Sequence, residues 1–306
     1  MSQSSDLQDA PDDVESPDGP DDGAVGPAVA TTADGRTVAY AEYGDADGAP
    51  VLFLHGTPGS RVLARLFDEA ARERGLWVLA PDRPGYGRSE PGQDADIADI
   101  ADIAADLVAV LDHAAVESAP VVGFSGGAAV AFALAGRQPD RVDVVHSVSG
   151  VAPPSLQTDQ PAVQRLLGTL ATRTPQLLSG VVRAQSWVAD RGSPSVVVSQ
   201  YTDSEGAAAL SEPQAETFRR DFVAGVGPRR AGFVRETRLL GEPWPVEPSI
   251  VDVPVHCWHG ERDANVPVAD ARRVADAARA ELTVVDADHA TALVEHREAV
   301  LDACIE

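Results

Sequence analysis

The sequence predicts an α/β protein: a mostly parallel central sheet with helices on both faces and a helical cap inserted between two strands. Three observations predict it. Beyond residue 50, short apolar runs of strand length alternate with amphipathic runs of helix length, a pattern that builds parallel sheets with helical crossovers on their faces. Residues 153–247 break that rhythm and read as several helices separated by Pro and Gly, an insertion of the size a cap over the sheet's C-terminal edge needs. Gly-rich loops follow strands directly at 55–60 and 123–127, at the edge where open α/β sheets carry their ligands.

The elements follow in order. Residues 1–27 hold eight acidic residues and no basic one. They predict a disordered acidic tail, with too little apolar surface to offset the entropy of ordering. Residues 29–32 and 36–43 flank Asp34-Gly35, a hairpin signature. Strand 51–54 ends at His55-Gly56, helix 61–74 follows, and strand 76–80 closes at Pro81. Residues 96–115 predict an amphipathic helix, with Ile97, Ile100, Ala104, Leu107 and Leu111 on one face and Asp99, Asp102 and Asp106 opposite. Strand 120–124, a small-residue helix 126–136 and strand 142–148 complete the first part. After the insertion come strand 253–259, a helix near 268–280, strand 282–285 and a last helix 291–304. The expected organisation is a tail 1–27, a core 28–152 and 248–306, and a cap 153–247.

Composition narrows the function. The 306 residues, 44% hydrophobic, suffice for one large core with an insert. Two cysteines exclude a disulfide scaffold and a four-cysteine zinc site; both read as reduced packing residues. No apolar run approaches the roughly 20 residues of a membrane span, and the acidic N-terminus shows no signal peptide. The expected location is cytoplasmic. A net charge of −24 argues against nucleic-acid backbones and anionic membranes as partners and leaves a small molecule. All 24 basic residues are Arg, against 48 acidic residues. Such a surface repels itself in dilute buffer and is screened at molar salt, where the Debye length is about 3 Å. The chain reads as halophilic; a GC-rich genome would explain missing Lys but not the acid excess.

The strongest chemical signal is Gly123-Phe124-Ser125-Gly126-Gly127, which follows a strand and opens a helix, as a nucleophile elbow requires. A sharp turn there lifts Ser125 into the cleft, and the Gly126 N–H faces a developing oxyanion. The loop His55-Gly56-Thr57-Pro58-Gly59-Ser60 can add a second donor, the Thr57 N–H, while His55 reads as structural. Residues 81–89 read as a rigid Pro/Gly support for one wall. A serine hydroxyl needs a base, and the base an orienting acid. Of seven histidines, His289 alone sits on a loop between the last strand and last helix. His113 and His296 fall on helices, His146 and His256 inside strands, and His259 closes a strand. Asp263, just past strand 253–259, is the favoured acid over Glu261 and Asp286. The order Ser125, Asp263, His289 fits an acid-then-histidine arrangement.

These segments (HGTPGS at 55–60, PDRPGYGRS at 81–89, GFSGG at 123–127, HGERDANVP at 259–267 and DADH at 286–289) resemble the α/β-hydrolase superfamily. More narrowly, the chain is similar to its capped esterase and iminopeptidase-like branch, in the family's order and spacing from about 55 to 290. The resemblance implies a nucleophile at Ser125, an acid at Asp263, a base at His289 and oxyanion N–H groups at Thr57 and Gly126. It implies two-step acyl transfer to water, with no metal or organic cofactor. The expected enzyme is a carboxylic-ester hydrolase on a small or medium apolar ester. The alternatives are an iminopeptidase, a C–C bond hydrolase or a lyase on the same scaffold, and a non-catalytic receptor that keeps the pocket. Two positions depart from the pattern. Asp288 stands where the family has Gly; it either raises the imidazole pKa or faces solvent, the latter expected on so acidic a surface. Thr57 stands where the iminopeptidase branch has a second Gly, which weakens a peptidase assignment. The resemblance places Asp at the elbow of haloalkane dehalogenases and epoxide hydrolases, so Ser125 argues against both. In the cap, Trp187, Tyr201, Phe218, Phe222, Phe233 and Trp244 serve equally as core or pocket lining. Arg219, Arg220, Arg229 and Arg230 are expected to pair with surface acids.

Overall fold

The alternation read from the sequence closes into one eight-stranded sheet in the computed structural model, which describes residues 27–93, 97–158, 160–227 and 229–305. The acidic segment 1–27 lies, Pro27 apart, outside the described residues. The chain runs β1 (Ala28–Thr31), β2 (Thr37–Gly44), β3 (Ala49–Leu54), α1 (Asp68–Glu73), β4 (Leu76–Pro81), α2 (Ile100–His113), β5 (Ala119–Phe124), α3 (Gly127–Arg137) and β6 (Val142–Val148). Helices α4 (Ala162–Arg173), α5 (Pro175–Arg191), α6 (Ser195–Val198), α7 (Ser204–Ala209), α8 (Glu212–Val226) and α9 (Ala231–Leu240) follow. Then β7 (Val255–Gly260), α10 (Val268–Ala278), β8 (Glu281–Val285) and α11 (His289–Ala303) complete it.

Strand order is β1-β2-β4-β3-β5-β6-β7-β8. β2 is antiparallel to both neighbours, and every other pairing is parallel. The six parallel strands therefore present their C-terminal ends along one edge. The cap leaves after β6 and returns before β7, and these strands pair directly, Val145 with Val255 and Val148 with Trp258.

Side chains alternate across the sheet as strand geometry requires. Leu52, Leu54 and Leu79 point to one face, against Leu107 and Leu111 of α2 and Phe132 of α3. Val51, Phe53 and Val78 point to the other, against Leu63, Phe67 and Leu293. Each large side chain so buried contributes about 1.5–3 kcal/mol. The cap has its own cluster, Leu178, Val182, Phe222, Val226 and Phe233, into which Tyr86 of the core inserts. No helix among the described residues is long and apolar enough to cross a membrane.

Three local expectations change. Helix 61–74 is a tight 3₁₀ stretch, Arg61–Phe67, running into α1. Its first donors go to side chains rather than to carbonyls: the Arg61 N–H to Asp82 Oδ1 at 2.7 Å and the Val62 N–H to Ser60 Oγ at 3.3 Å. Helix α2 starts at Ile100, because Asp99 caps it by accepting from the Ala101 and Asp102 N–H groups while Asp102 accepts from the Asp99 N–H. Asp106 is not on a solvated face. It is buried and accepts a two-pronged bond from Arg36 at 2.6 and 2.8 Å, docking α2 on the hairpin.

Candidate active site

Ser125 directly follows β5 with φ +52°, a conformation costly for most residues but Gly. The turn is held open at both sides. The Ser125 N–H donates to Val148 O at 3.0 Å, and Ser125 O accepts from the Ala128 and Val151 N–H groups, both at 3.1 Å. Directly after it, a Cβ at Gly127 would lie 2.3 Å from Leu54 O, so only Gly lets α3 start this close to β3. The N-terminus of α3 thus follows the serine directly and sets the positive end of the helix dipole beside it.

His289 opens α11 at the same edge. Its Nδ1–H donates to Asp263 Oδ2 at 2.7 Å, and both side chains are buried. This contact fixes the tautomer and leaves Nε2 as the basic nitrogen. The ring lies between Phe124, centroids 5.0 Å apart, and Tyr201 of the cap, near-parallel at 6.4 Å. Asp263 is itself held. Its Oδ1 accepts from the Asn265 and Val266 N–H groups, both at 2.8 Å. Burial opposes ionisation of Asp263, but His289, His259 and the Val266 N–H outweigh it and hold the carboxyl below its usual range. Among the described residues Ser125 Oγ makes no hydrogen bond to His289; such contacts are often long before substrate binds. Glu261 and Asp286 take no part in this contact.

Thr57 and Gly126 are brought together. A Cβ at Gly126 would lie 2.0 Å from Thr57 Oγ1, so glycine admits the threonine there. Neither the Thr57 nor the Gly126 backbone N–H has a protein acceptor among the described residues.

His55 is structural, as expected. Its Nδ1–H donates to Gly56 O at 2.8 Å and its Nε2 accepts from the Arg83 N–H at 3.3 Å. Burial, reinforced by the neighbouring Arg83 charge, holds its pKa well below the usual value. His259 donates to Val266 O at 2.9 Å and so steadies the acid loop.

Asp288 departs from expectation. It does not face solvent; it is buried and caps α11 through the Thr291 N–H at 3.0 Å. It also accepts from the Thr202 hydroxyl and, at 3.0 Å, from the Asp203 N–H of the cap. The Ala290 N–H donates to Tyr201 O at 3.1 Å. Residues 201–203 therefore latch the cap onto the base loop. Burial of Asp288 is outweighed by the Thr202 and Thr291 bonds, which lower its pKa.

Two cap carboxylates escaped the sequence reading. Glu236 of α9 pairs with Arg83 (Nε to Oε2 2.8 Å, Nη2 to Oε1 2.5 Å) and accepts from the Thr57 hydroxyl. Asp221 of α8 accepts from the Ser60 N–H at 2.6 Å and its hydroxyl at 3.0 Å. Burial pushes Asp221 up to about 8 against those bonds. The readable signal was a carboxylate inside an apolar stripe: Glu236 between Phe233 and Leu239, Asp221 between Phe218 and Phe222. Of the cap aromatics, only Tyr201 stacks on the candidate base; Phe218, Phe222, Phe233 and Trp244 are buried, and Trp187 is 60% exposed beside Arg191. Arg219 and Arg220 pair with Glu216, whereas Arg229 and Arg230 donate to backbone carbonyls. Among the described residues no group of three His, Cys, Asp or Glu side chains is placed to hold a metal.

Comparison with known proteins gives a family-model match, described as alpha/beta hydrolase fold, over residues 49–290. The chain is 36% identical over 136 residues to a non-heme chloroperoxidase of Streptomyces lividans, covering 42% of this chain and 46% of that protein. It is 36% identical over 102 residues to an epoxide hydrolase of Caballeronia sordidicola, covering 33% and 31%. The matches thus span less than half of either curated relative. Among solved structures, a thermophilic esterase from Thermogutta terrifontis superposes with TM-score 0.67 at 21% identity, covering 91% of this chain and 96% of that one. An enol-lactonase from Burkholderia xenovorans LB400 gives 0.68 at 20% identity, covering 91% and 98%.

Proposed function

Because the chain belongs to the alpha/beta hydrolase fold family, we propose that it is a serine hydrolase that cleaves a small or medium ester-like substrate through an acyl-enzyme. One observation carries this reading: the buried His289–Asp263 contact at 2.7 Å, at the same sheet edge as the strained Ser125 turn. Ser125 Oγ attacks the carbonyl as His289 Nε2 takes its proton. Asp263 holds the tautomer and stabilises the imidazolium. The Thr57 and Gly126 N–H groups receive the oxyanion, each worth about 10²–10³ in rate. His289 returns the proton to the leaving group, and water then repeats the cycle on the acyl-serine.

The esterase and lactonase names among the structural neighbours support ester chemistry, while the epoxide-hydrolase relatives raise a rival. Chemistry at the elbow separates them. Opening an epoxide on a hydroxyl would leave an ether, which water cannot release, whereas a carboxylate leaves a hydrolysable ester. Ser125 suits acyl transfer. The Arg219–Glu216 and Arg220–Glu216 pairs leave those arginines engaged rather than offered to a carboxylate substrate, in keeping with an apolar acyl group.

The test is labelling with a fluorophosphonate in concentrated KCl, read by intact mass and peptide mapping, beside Ser125→Ala. Stoichiometric label on Ser125, absent from the variant, is the expected result. No label on folded protein would overturn the reading in favour of a non-catalytic receptor. Release of an N-terminal residue without ester turnover would reassign the site to an iminopeptidase.

A further inference from the structure

The deepest charge pair described in the molecule lies outside the Ser125, His289 and Asp263 group, behind Thr57. Arg83 and Glu236 are both essentially without solvent exposure. Arg83 comes from the core, just past β4, and Glu236 from the cap helix α9. Two buried charges are costly to desolvate, and a cap could be pinned more cheaply by apolar contacts. Their hydrogen bonds show what else the pair does.

Arg83 reaches under the loop 55–57. Its Nη1–H donates to His55 O, and its Nη2–H to Gly56 O at 3.0 Å. The Gly56–Thr57 peptide is trans, so its C=O and N–H point in opposite directions. Holding Gly56 O against Arg83 therefore turns the Thr57 N–H away from the guanidinium. The Thr57 side chain is held at the same time: its hydroxyl donates to Glu236 Oε1 and its Oγ1 packs against Gly126. Glu236 thus fixes Thr57 twice, directly through the hydroxyl and indirectly by placing Arg83 with two bonds. Tyr86 closes the pocket, its ring beside both His55 and the Arg83 guanidinium.

We infer that Glu236 is a positioning residue for the oxyanion loop, a carboxylate supplied by the cap that aims a backbone donor of the core. The inference rests on the serine-hydrolase reading above. The donor site is complete only when α9 is docked.

The test compares wild type with Glu236→Gln, Glu236→Asp and Thr57→Val on a p-nitrophenyl ester, with a trifluoromethyl ketone as mimic of the tetrahedral oxyanion. Glu236→Asp keeps a charge for Arg83 but retreats from Thr57. Thr57→Val keeps the ion pair and the backbone donor and loses only the hydroxyl link. These two guard against a Glu236→Gln protein that does not fold. The expected result is a fall in kcat of about 10–100-fold for the Glu236 variants and a smaller fall for Thr57→Val, with KM within about twofold. Ketone affinity falls by the same factor as kcat, and thermal melting shows the proteins folded. If folded Glu236→Asp and Thr57→Val keep kcat and ketone affinity, the role is overturned. A rise in KM and a lower melting temperature with kcat unchanged would make Glu236 a plain cap pin and also overturn it. A wild type that takes no fluorophosphonate label overturns the serine-hydrolase reading and this role together; label with unaltered variants overturns this role alone.

Discussion

At Ser125 the backbone adopts a conformation that suits glycine, with φ +52°. Holding a side chain there costs about 1–3 kcal/mol. Ser125→Gly is therefore expected to raise stability by about 1 kcal/mol while removing the proposed nucleophile; a melting curve beside an ester assay checks both, and a destabilised variant would contradict the strain argument. Asp263→Asn, which disturbs the tautomer His289 needs, is expected to lower kcat by about 10³–10⁴-fold with the melting temperature little changed. Asp221 gives a pH signature. Its folded pKa, about 8, lies above the ordinary 3.8. The stability it contributes is fully present below about pH 4 and is lost as pH rises toward 8. Asp221→Asn does not titrate, so its advantage over wild type is expected to be small at pH 4. By pH 8 it should exceed about 1 kcal/mol, each tenfold change in proton affinity being worth about 1.4 kcal/mol. Parallel denaturation curves at the two pH values measure it.

Among the elements, the segment 201–203 does the most for the site with the fewest residues. Asp288→Ala would strip the acceptor from the Asp203 and Thr291 N–H groups and from two hydroxyls. The expected cost is about 1–3 kcal/mol of stability, with kcat falling because His289 follows Asp288 directly. Denaturation and ester turnover together check this. Elements are also where the limits of the sequence become visible. The β5 turn carrying Ser125 and the β8–α11 junction carrying His289 are legible in the sequence because their signals are local: an apolar run, then a Gly-rich turn or a lone histidine, although His289 is the first residue of α11 rather than part of the loop before it. Asp106 was misplaced because a helical wheel sets it opposite Leu107 and Leu111, while Arg36, 70 residues away, reaches over from the hairpin. Asp288 was misread for the same reason; its cap partners lie 85 and 86 residues back. Glu236 meets Thr57 across 179 residues, and no local pattern encodes that.

On the scale of the molecule, charge dominates. With 48 acidic against 24 basic residues, the folded state is expected to repel itself at low ionic strength. The melting temperature should climb steeply between about 0.1 M and 1 M KCl, as the Debye length falls from about 10 Å to 3 Å; a flat profile would argue against halophilic adaptation. The buried Arg83–Glu236 pair should be indifferent to that salt. One more property follows from β6 and β7 pairing directly in the sheet while the whole cap runs between them. The chain leaves the sheet after Val148 and re-enters at Val255, opposite Val145, and the two ends of the cap are tied by the Ser155 hydroxyl donating to the Glu247 carboxylate. The β6–β7 pairing is expected to survive exchange of the cap, because loop-closure entropy changes only slowly with length, although buried Arg83 would lose its partner. Such a transplant would keep the elbow and the acid–histidine pair but forfeit Glu236, Asp221 and the 201–203 latch. The groups proposed to break the bond thus belong to the frame, and the contacts proposed to align them come from the cap.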